Sequence, residues 1–210
     1  MLASKIERFI KRDLKAVLHN YNSFHSVFDC ANSHFSDKSI CFYCTLKNKH
    51  SHQYHLNNDM LYHFAERVSQ AVKNWGKIES FESLISIIRG LIPNTSMLAL
   101  LTYDCASRIS YFKYRTEKID FRPKEYVYIH AGVYKGAMWL YNNGYITYIP
   151  KNNSLIPIDE FRGTNFDGLF DVLKNEAYSN FTKSMLLEAF MCLLLQDDVK
   201  LCKKCRVLSE

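Results

Sequence analysis

Apolar side chains recur at helical spacing along most of the chain. Between residues 3 and 21 they fall at Ile6, Phe9, Ile10, Leu14, Val17, Leu18 and Tyr21, which predicts an amphipathic helix. The period lapses over 22–57 and resumes over 58–75 through Met60, Leu61, Phe64, Val68, Val72 and Trp75, with Gly76 as its stop. Ser80 is placed to cap a helix through Phe81, Leu84, Ile85, Ile88 and Leu91 that ends before Pro93. Asn94 or Thr95 can cap the next, Ser96 to Lys113, which is apolar on nearly every side and therefore central.

The second half is more broken. Tyr126 to Ala131 is too short for periodicity to choose between a strand and a helical turn. Gly132 and Gly136 bracket Val133-Tyr134-Lys135, and a helix follows to Tyr141, ended by Asn142-Asn143-Gly144. Tyr145 to Ile149 and Leu155 to Ile158 flank the turn-forming Pro150-Lys-Asn-Asn-Ser154, which predicts a β-hairpin. Two last helices are expected over 165–178 and 182–200. The expected fold is therefore mainly α: one compact helical domain over 1–210 with a small β-hairpin. Its irregular Cys/His-rich insertion, 22–57, needs an ordering agent at that length.

Cysteine spacing suggests the agent. Of seven cysteines, Cys41-Phe-Tyr-Cys44 and Cys202-Lys-Lys-Cys205 have C-x-x-C spacing, which lets two thiolates close on one tetrahedral ion. One reading joins both pairs in a structural zinc site that ties 22–57 to 200–206. A second completes Cys41 and Cys44 with His50 and His52 or His55, and a third leaves ordinary thiols. Four protein ligands would leave no open position for water. Cys105 and Cys192 lie in apolar runs and are expected to behave as small hydrophobes. The odd count disfavours a disulfide framework. Charges interrupt every apolar run of the first residues, so no signal peptide is expected. No stretch reaches the ~18 apolar residues of a membrane span, and a cytoplasmic location is the expectation.

The charge balance is mildly basic, 27 Lys+Arg against 21 Asp+Glu, which permits a nucleic-acid partner without requiring one. Lys5, Arg8, Lys11, Arg12 and Lys15 gather on the polar side of the first helix, either as a phosphate-binding stripe or as a solvated face. Asp104 and Arg108 are four apart in an apolar helix and share a face. They suit a structural pair, or a site in which Arg108 meets a phosphate or carboxylate while Asp104 holds it. His130, beside Gly132 and near Lys135, is an acid–base candidate or a core histidine. Together Asp104, Arg108, His130 and Lys135 make the catalytic alternative. No H-x-E with P-C-x-x-C, H-E-x-x-H, G-x-S-x-G or P-loop is present, and Asp159-Glu160 and Asp197-Asp198 are adjacent pairs that point apart.

Ile129-His-Ala-Gly-Val-Tyr-Lys-Gly-Ala137 resembles a helix-hairpin-helix DNA-binding turn. The resemblance implies backbone N–H groups and Lys135 facing a phosphate, with Ala137 packing the second helix. It departs from that family in lacking glycines two apart and in carrying His130 where a proline is usual. The acid of the family's glycosylase variant has no match nearer than Asp159. Tyr103-Asp104, Arg108-Ile109, Ile129 to Gly132, Gly136-Ala137 and Glu188 to Cys192 resemble small uncharacterised bacterial accessory proteins of ATPase/nuclease-type phage-defence loci. That resemblance assigns no activity; with the basic first helix, the zinc-like cysteine pairs, the aromatic load and the missing catalytic set, the expectation is a non-catalytic accessory or bridging subunit of a bacterial multi-protein complex acting on DNA, in phage or plasmid defence. Its partners would be larger subunits such as an ATPase or nuclease, and its lone chain would be poorly soluble or self-associate. Two other classes compete: a nucleic-acid-processing enzyme using the four residues above, and a stand-alone DNA-binding regulator. The regulator lacks an identifiable recognition helix.

Overall fold

A computed structural model describes residues 1–22, 64, 67–68, 70–71, 78–91 and 98–195. The segment 22–57, apart from Asn22, lies outside the described residues, as do Cys41, Cys44, Cys202, Cys205, His50, His52 and His55. The chain, expected as one domain, divides into two compact units, one of Met1–Leu18 with Pro123–Glu210 and one of His19–Arg122.

The first unit begins with helix α1, Leu2–Arg8, which continues through a π turn at Phe9–Asp13 into α2, Leu14–Asn22. The π turn is marked by Leu14 N–H reaching back five residues to Phe9 O. It answers the spacing of buried side chains: Leu2, Ile6 and Phe9 are four and three apart, but the next apolar anchor, Leu14, is five further on. Widening one turn keeps all four in the same core.

Strand β1, Tyr126–Ile129, leads directly into α5, Ala131–Asn142, and returns antiparallel as β2, Ser154–Pro157. Two further hydrogen bonds, Asn153 N–H to Ile129 O and Ile158 N–H to Glu125 O, extend the ladder at both ends. Val127, Ile129 and Ile156 face inward and are buried. Tyr126, Tyr128, Leu155 and Pro157 share the outward face, as the alternation of side chains along paired strands requires. A small antiparallel β element is thus present, but not the expected hairpin. Residues 145–149 form no strand, and the partner of β2 is Tyr126–Ile129. The reason is Glu160: its carboxylate accepts from Thr147 N–H, Tyr148 N–H and the Thr147 hydroxyl at 3.0, 3.0 and 2.7 Å. The backbone donors a ladder would need are taken by a side chain.

The unit closes with α6, Thr164–Phe170, two 3-10 turns at Asp171–Lys174 and Glu176–Tyr178, and α7, Lys183–Leu193. The single helix expected over 165–178 is broken here. The Asn175 side chain accepts from Ala177 N–H and starts a new turn. Helix α7 is the centre of the core: every residue from Ser184 to Met191 is buried. Each of Leu186, Leu187 and Phe190 contributes roughly 1.5–3 kcal/mol by leaving water. α7 is capped by Thr182, whose hydroxyl accepts from Met185 N–H at 3.2 Å and donates to Pro123 O. α5 lies across it at Gly136. A Cβ there would fall 2.7 Å from Met191 C and 2.9 Å from Met191 Cα, so the two backbones are in contact and only glycine fits.

In the second unit α3, Phe81–Gly90, packs on α4, Leu98–Glu117. Ser80 caps α3 in a reciprocal box with Ser83, each side chain accepting from the other's backbone N–H at 3.1 Å. α4 outruns its expected end at Lys113 by one turn, held by a Lys113–Glu117 ion pair, and stops where Lys118 turns left-handed at φ 59°. Of the helix expected over 58–75, residues 64, 67, 68, 70 and 71 are described, and they are helical. Among the described residues no helix is long and apolar enough to cross a membrane.

Candidate functional site

The sequence candidates fall in both units. Asp104 and Arg108 belong to the second, His130 and Lys135 to the first.

Asp104 and Arg108 are one turn apart on α4 and both buried. Arg108 Nη1 sits 3.3 Å from Asp104 Oδ1 and donates to Asp104 O at 3.1 Å, while its guanidinium lies 5.3 Å from the centre of the Tyr21 ring. The guanidinium thus meets its own helix and an aromatic face. Cys105, beside them, is fully enclosed, and loss of hydration pushes its thiol well above the ordinary range.

The basic positions of the first helix meet different partners. Lys5 Nζ and Arg8 Nη2 both donate to Leu194 O, at 3.4 and 2.9 Å, and the Lys5 ammonium lies 5.2 Å from the centre of the Trp139 ring. They cap the C-terminal end of α7, where carbonyls and the negative end of the helix dipole attract cations. Lys11 pairs with exposed Glu7 at 2.5 Å and Arg12 with buried Asp13 at 2.7 Å. Lys15 is exposed.

His130 is the N-cap of α5. Its extended backbone (φ −94°, ψ 175°) follows β1, and its Nδ1 accepts from Gly132 N–H at 3.3 Å. Nε2 therefore carries the proton and donates to Glu188 Oε1 at 2.6 Å. The histidine is 3% exposed and the glutamate 6%. The segment before the cap is a strand, so 129–137 is a strand-to-helix turn and not the helix-hairpin-helix turn it resembles. Lys135 is exposed on the next turn of α5, Gly132 is exposed, and Ala137 is buried. Cys192, four residues after Glu188 on α7, is a partly exposed thiol whose Sγ lies by Gly132.

Glu188 is the residue that sequence reasoning did not assign a role. Its signal was present: a carboxylate in the middle of Met185 to Leu195 has no place in an apolar core unless a buried polar partner waits for it. Among the described residues no group of three or more His, Cys, Asp and Glu could hold a metal ion. No family model, curated protein or solved structure matches this chain.

Proposed function

We propose that the protein is a non-catalytic accessory subunit that bridges larger proteins in a bacterial complex acting on DNA, of the kind found in phage- or plasmid-defence loci. The observation that carries this reading is the closure of the His130–Glu188 pair. The strongest acid–base candidate of the sequence is engaged in capping α5 and in a hydrogen bond to a carboxylate inside the core. Asp104 with Arg108, and Lys5 with Arg8, are likewise engaged in holding helices. A bridging role is supported by the outward face of the two-stranded sheet, where Tyr126 and Leu155 remain exposed, and by Ile149, 58% exposed shortly before β2. Contiguous apolar surface, and not single exposed side chains, is what marks a partner surface, and Tyr126 and Leu155 share one face of the sheet. A structural zinc on Cys41, Cys44, Cys202 and Cys205 belongs to the same proposal.

The test is affinity isolation of the tagged chain from its native host, with metal analysis of the recovered complex. The expected result is a stoichiometric larger subunit whose ATPase or nuclease activity requires this chain, lost from the Leu155→Glu variant. A chain that is monomeric, indifferent to DNA and to its host's proteins would overturn the proposal. So would nucleic-acid turnover by the chain alone that disappears in Asp104→Ala and His130→Ala while folding is kept.

A further inference from the structure

Asparagine is followed by glycine once in the chain, at Asn143-Gly144. The pair ends α5, and both residues are exposed. Gly144 carries no Cβ to hinder its nitrogen, so this dipeptide can close a five-membered ring through the asparagine side chain. In the folded chain the groups that would react are engaged. Gly144 turns left-handed at φ 72°, and its N–H donates to Tyr141 O at 2.9 Å. Tyr145 N–H donates to Leu140 O at 2.9 Å, which completes a Schellman turn. Asn143 Nδ2 donates to Trp139 O at 2.8 Å, and Asn143 N–H donates to the same oxygen at 3.1 Å. At ψ 7° Gly144 N nearly eclipses Asn143 N, roughly a third of a turn away from the Cβ that a planar ring needs beside it. The turn must open before the ring can close.

We propose that Asn143-Gly144 is a self-modifying site: a deamidation whose pace is set by opening of the end of α5, and whose products cannot rebuild that end. Once the turn opens, Gly144 N attacks Asn143 Cγ. The new N–C bond forms, the Cγ–Nδ2 bond breaks, and the amide hydrogen of Gly144 leaves on the departing nitrogen as ammonia. Solvent water then opens the cyclic imide at one of its two carbonyls. Attack at Cγ gives aspartate, and attack at the main-chain carbonyl gives isoaspartate. One water is consumed and one ammonia released, with no oxidant or reductant. Both products place a carboxylate at the carbonyl end of α5, where the helix dipole repels an anion. Both lose the Nδ2 donor to Trp139 O. Isoaspartate also adds a methylene to the main chain inside the Schellman turn. Trp139 stacks on Tyr145 with ring centres 5.6 Å apart, and the Lys5 ammonium lies over its other contacts at 5.2 Å from the ring centre. Both rings belong to the turn that the modification undoes, so it loosens this aromatic pair. The inference is independent of the accessory role.

The full chain is aged in neutral buffer, folded and in urea, and digested. Peptide mass spectrometry with chromatographic separation of the aspartate and isoaspartate forms then reads conversion at each asparagine. In urea Asn143 should convert about tenfold or more faster than the other asparagines, and Gly144→Ala should remove that advantage. The folded chain should convert Asn143 at least about tenfold more slowly than the unfolded one, because the bonds of the turn must break first. Asn143→Asp, which stands in for one product, should lower the melting temperature by roughly 2–4 °C. Equal rates in the folded and unfolded chain overturn the proposal. So does an Asn143 that converts no faster than its fellows in urea, or an Asn143→Asp protein that melts at or above the wild type.

Discussion

Replacing Gly136 by alanine should be far more damaging than the change of one methyl group suggests. Carbon atoms settle about 3.5–4.0 Å apart, and the new Cβ would stand 2.7 and 2.9 Å from Met191 C and Cα. It would overlap Met191 O more closely still, and all three are backbone atoms in the most buried helix of the unit, so no rotamer change relieves the clash and α5 must lift from α7 by more than about 1 Å. Overpacking of this kind costs roughly 1–3 kcal/mol or more, and an immovable neighbour puts it at the upper end. The better helix propensity of alanine returns about 1 kcal/mol. The net loss is about 2 kcal/mol, or roughly 4–8 °C in melting temperature for a chain of this size. Gly168 is the matched control. It lies in α6 of the same unit, and a Cβ there meets only Ile6 Cγ2 at 4.0 Å. Gly168→Ala should therefore stabilise by up to about 1 kcal/mol. Thermal and urea melts followed by circular dichroism decide the matter. A Gly136→Ala protein that melts at or above the wild type refutes the packing described for α5 on α7.

Other substitutions probe the remaining devices. Thr182→Val removes both the cap of α7 and the bond to Pro123 O, and should cost about 2 kcal/mol in urea unfolding, against no loss if the cap is idle. Ser80→Ala should cost about 1 kcal/mol through α3, measured the same way. Hydrogen bonds from Thr147 and Tyr148 hold the Glu160 carboxyl below its ordinary value of 4.5. A lowered folded value means that its stabilisation is complete above about pH 4.5 and fades as pH falls through the folded value. The melting-temperature gap between wild type and Glu160→Gln should be widest near neutrality and close in acid; a gap independent of pH contradicts this.

Much of the helical layout was legible from residue spacing, because burial of one apolar stripe is a local rule. The period of 3–21, the Ser80 cap, the Asn142-Asn143-Gly144 stop and the buried character of 102–110 all follow from it. What was illegible depended on distant partners. The 145–149 alternation looks like a strand until Glu160 claims its N–H groups. The end of α4 is set by Lys118, a left-handed residue with no glycine to announce it. His130 showed no partner in sequence because Glu188 is 58 residues away. Asp104 and Arg108 were legible as neighbours, since four residues on a helix suffice to bring them together. The partners of the basic residues on the first helix were not legible for a different reason. The stripe was drawn on a regular helix of 3.6 residues per turn, and the π turn breaks that frame.

That wide turn sets two angular frames within a single rod. One extra residue offsets everything before it by about 100° relative to everything after. Lys5 and Arg8 are thereby aimed at the carbonyl end of α7, while Lys11 and Lys15 look away from it. Wound at regular pitch with every residue kept, the helix would carry Leu14 about 100° off the stripe of Leu2, Ile6 and Phe9. Removing one residue between Phe9 and Asp13 would instead leave Leu14 four after Phe9, on that stripe, so the amino-terminal seven residues should keep their seat while the π turn disappears.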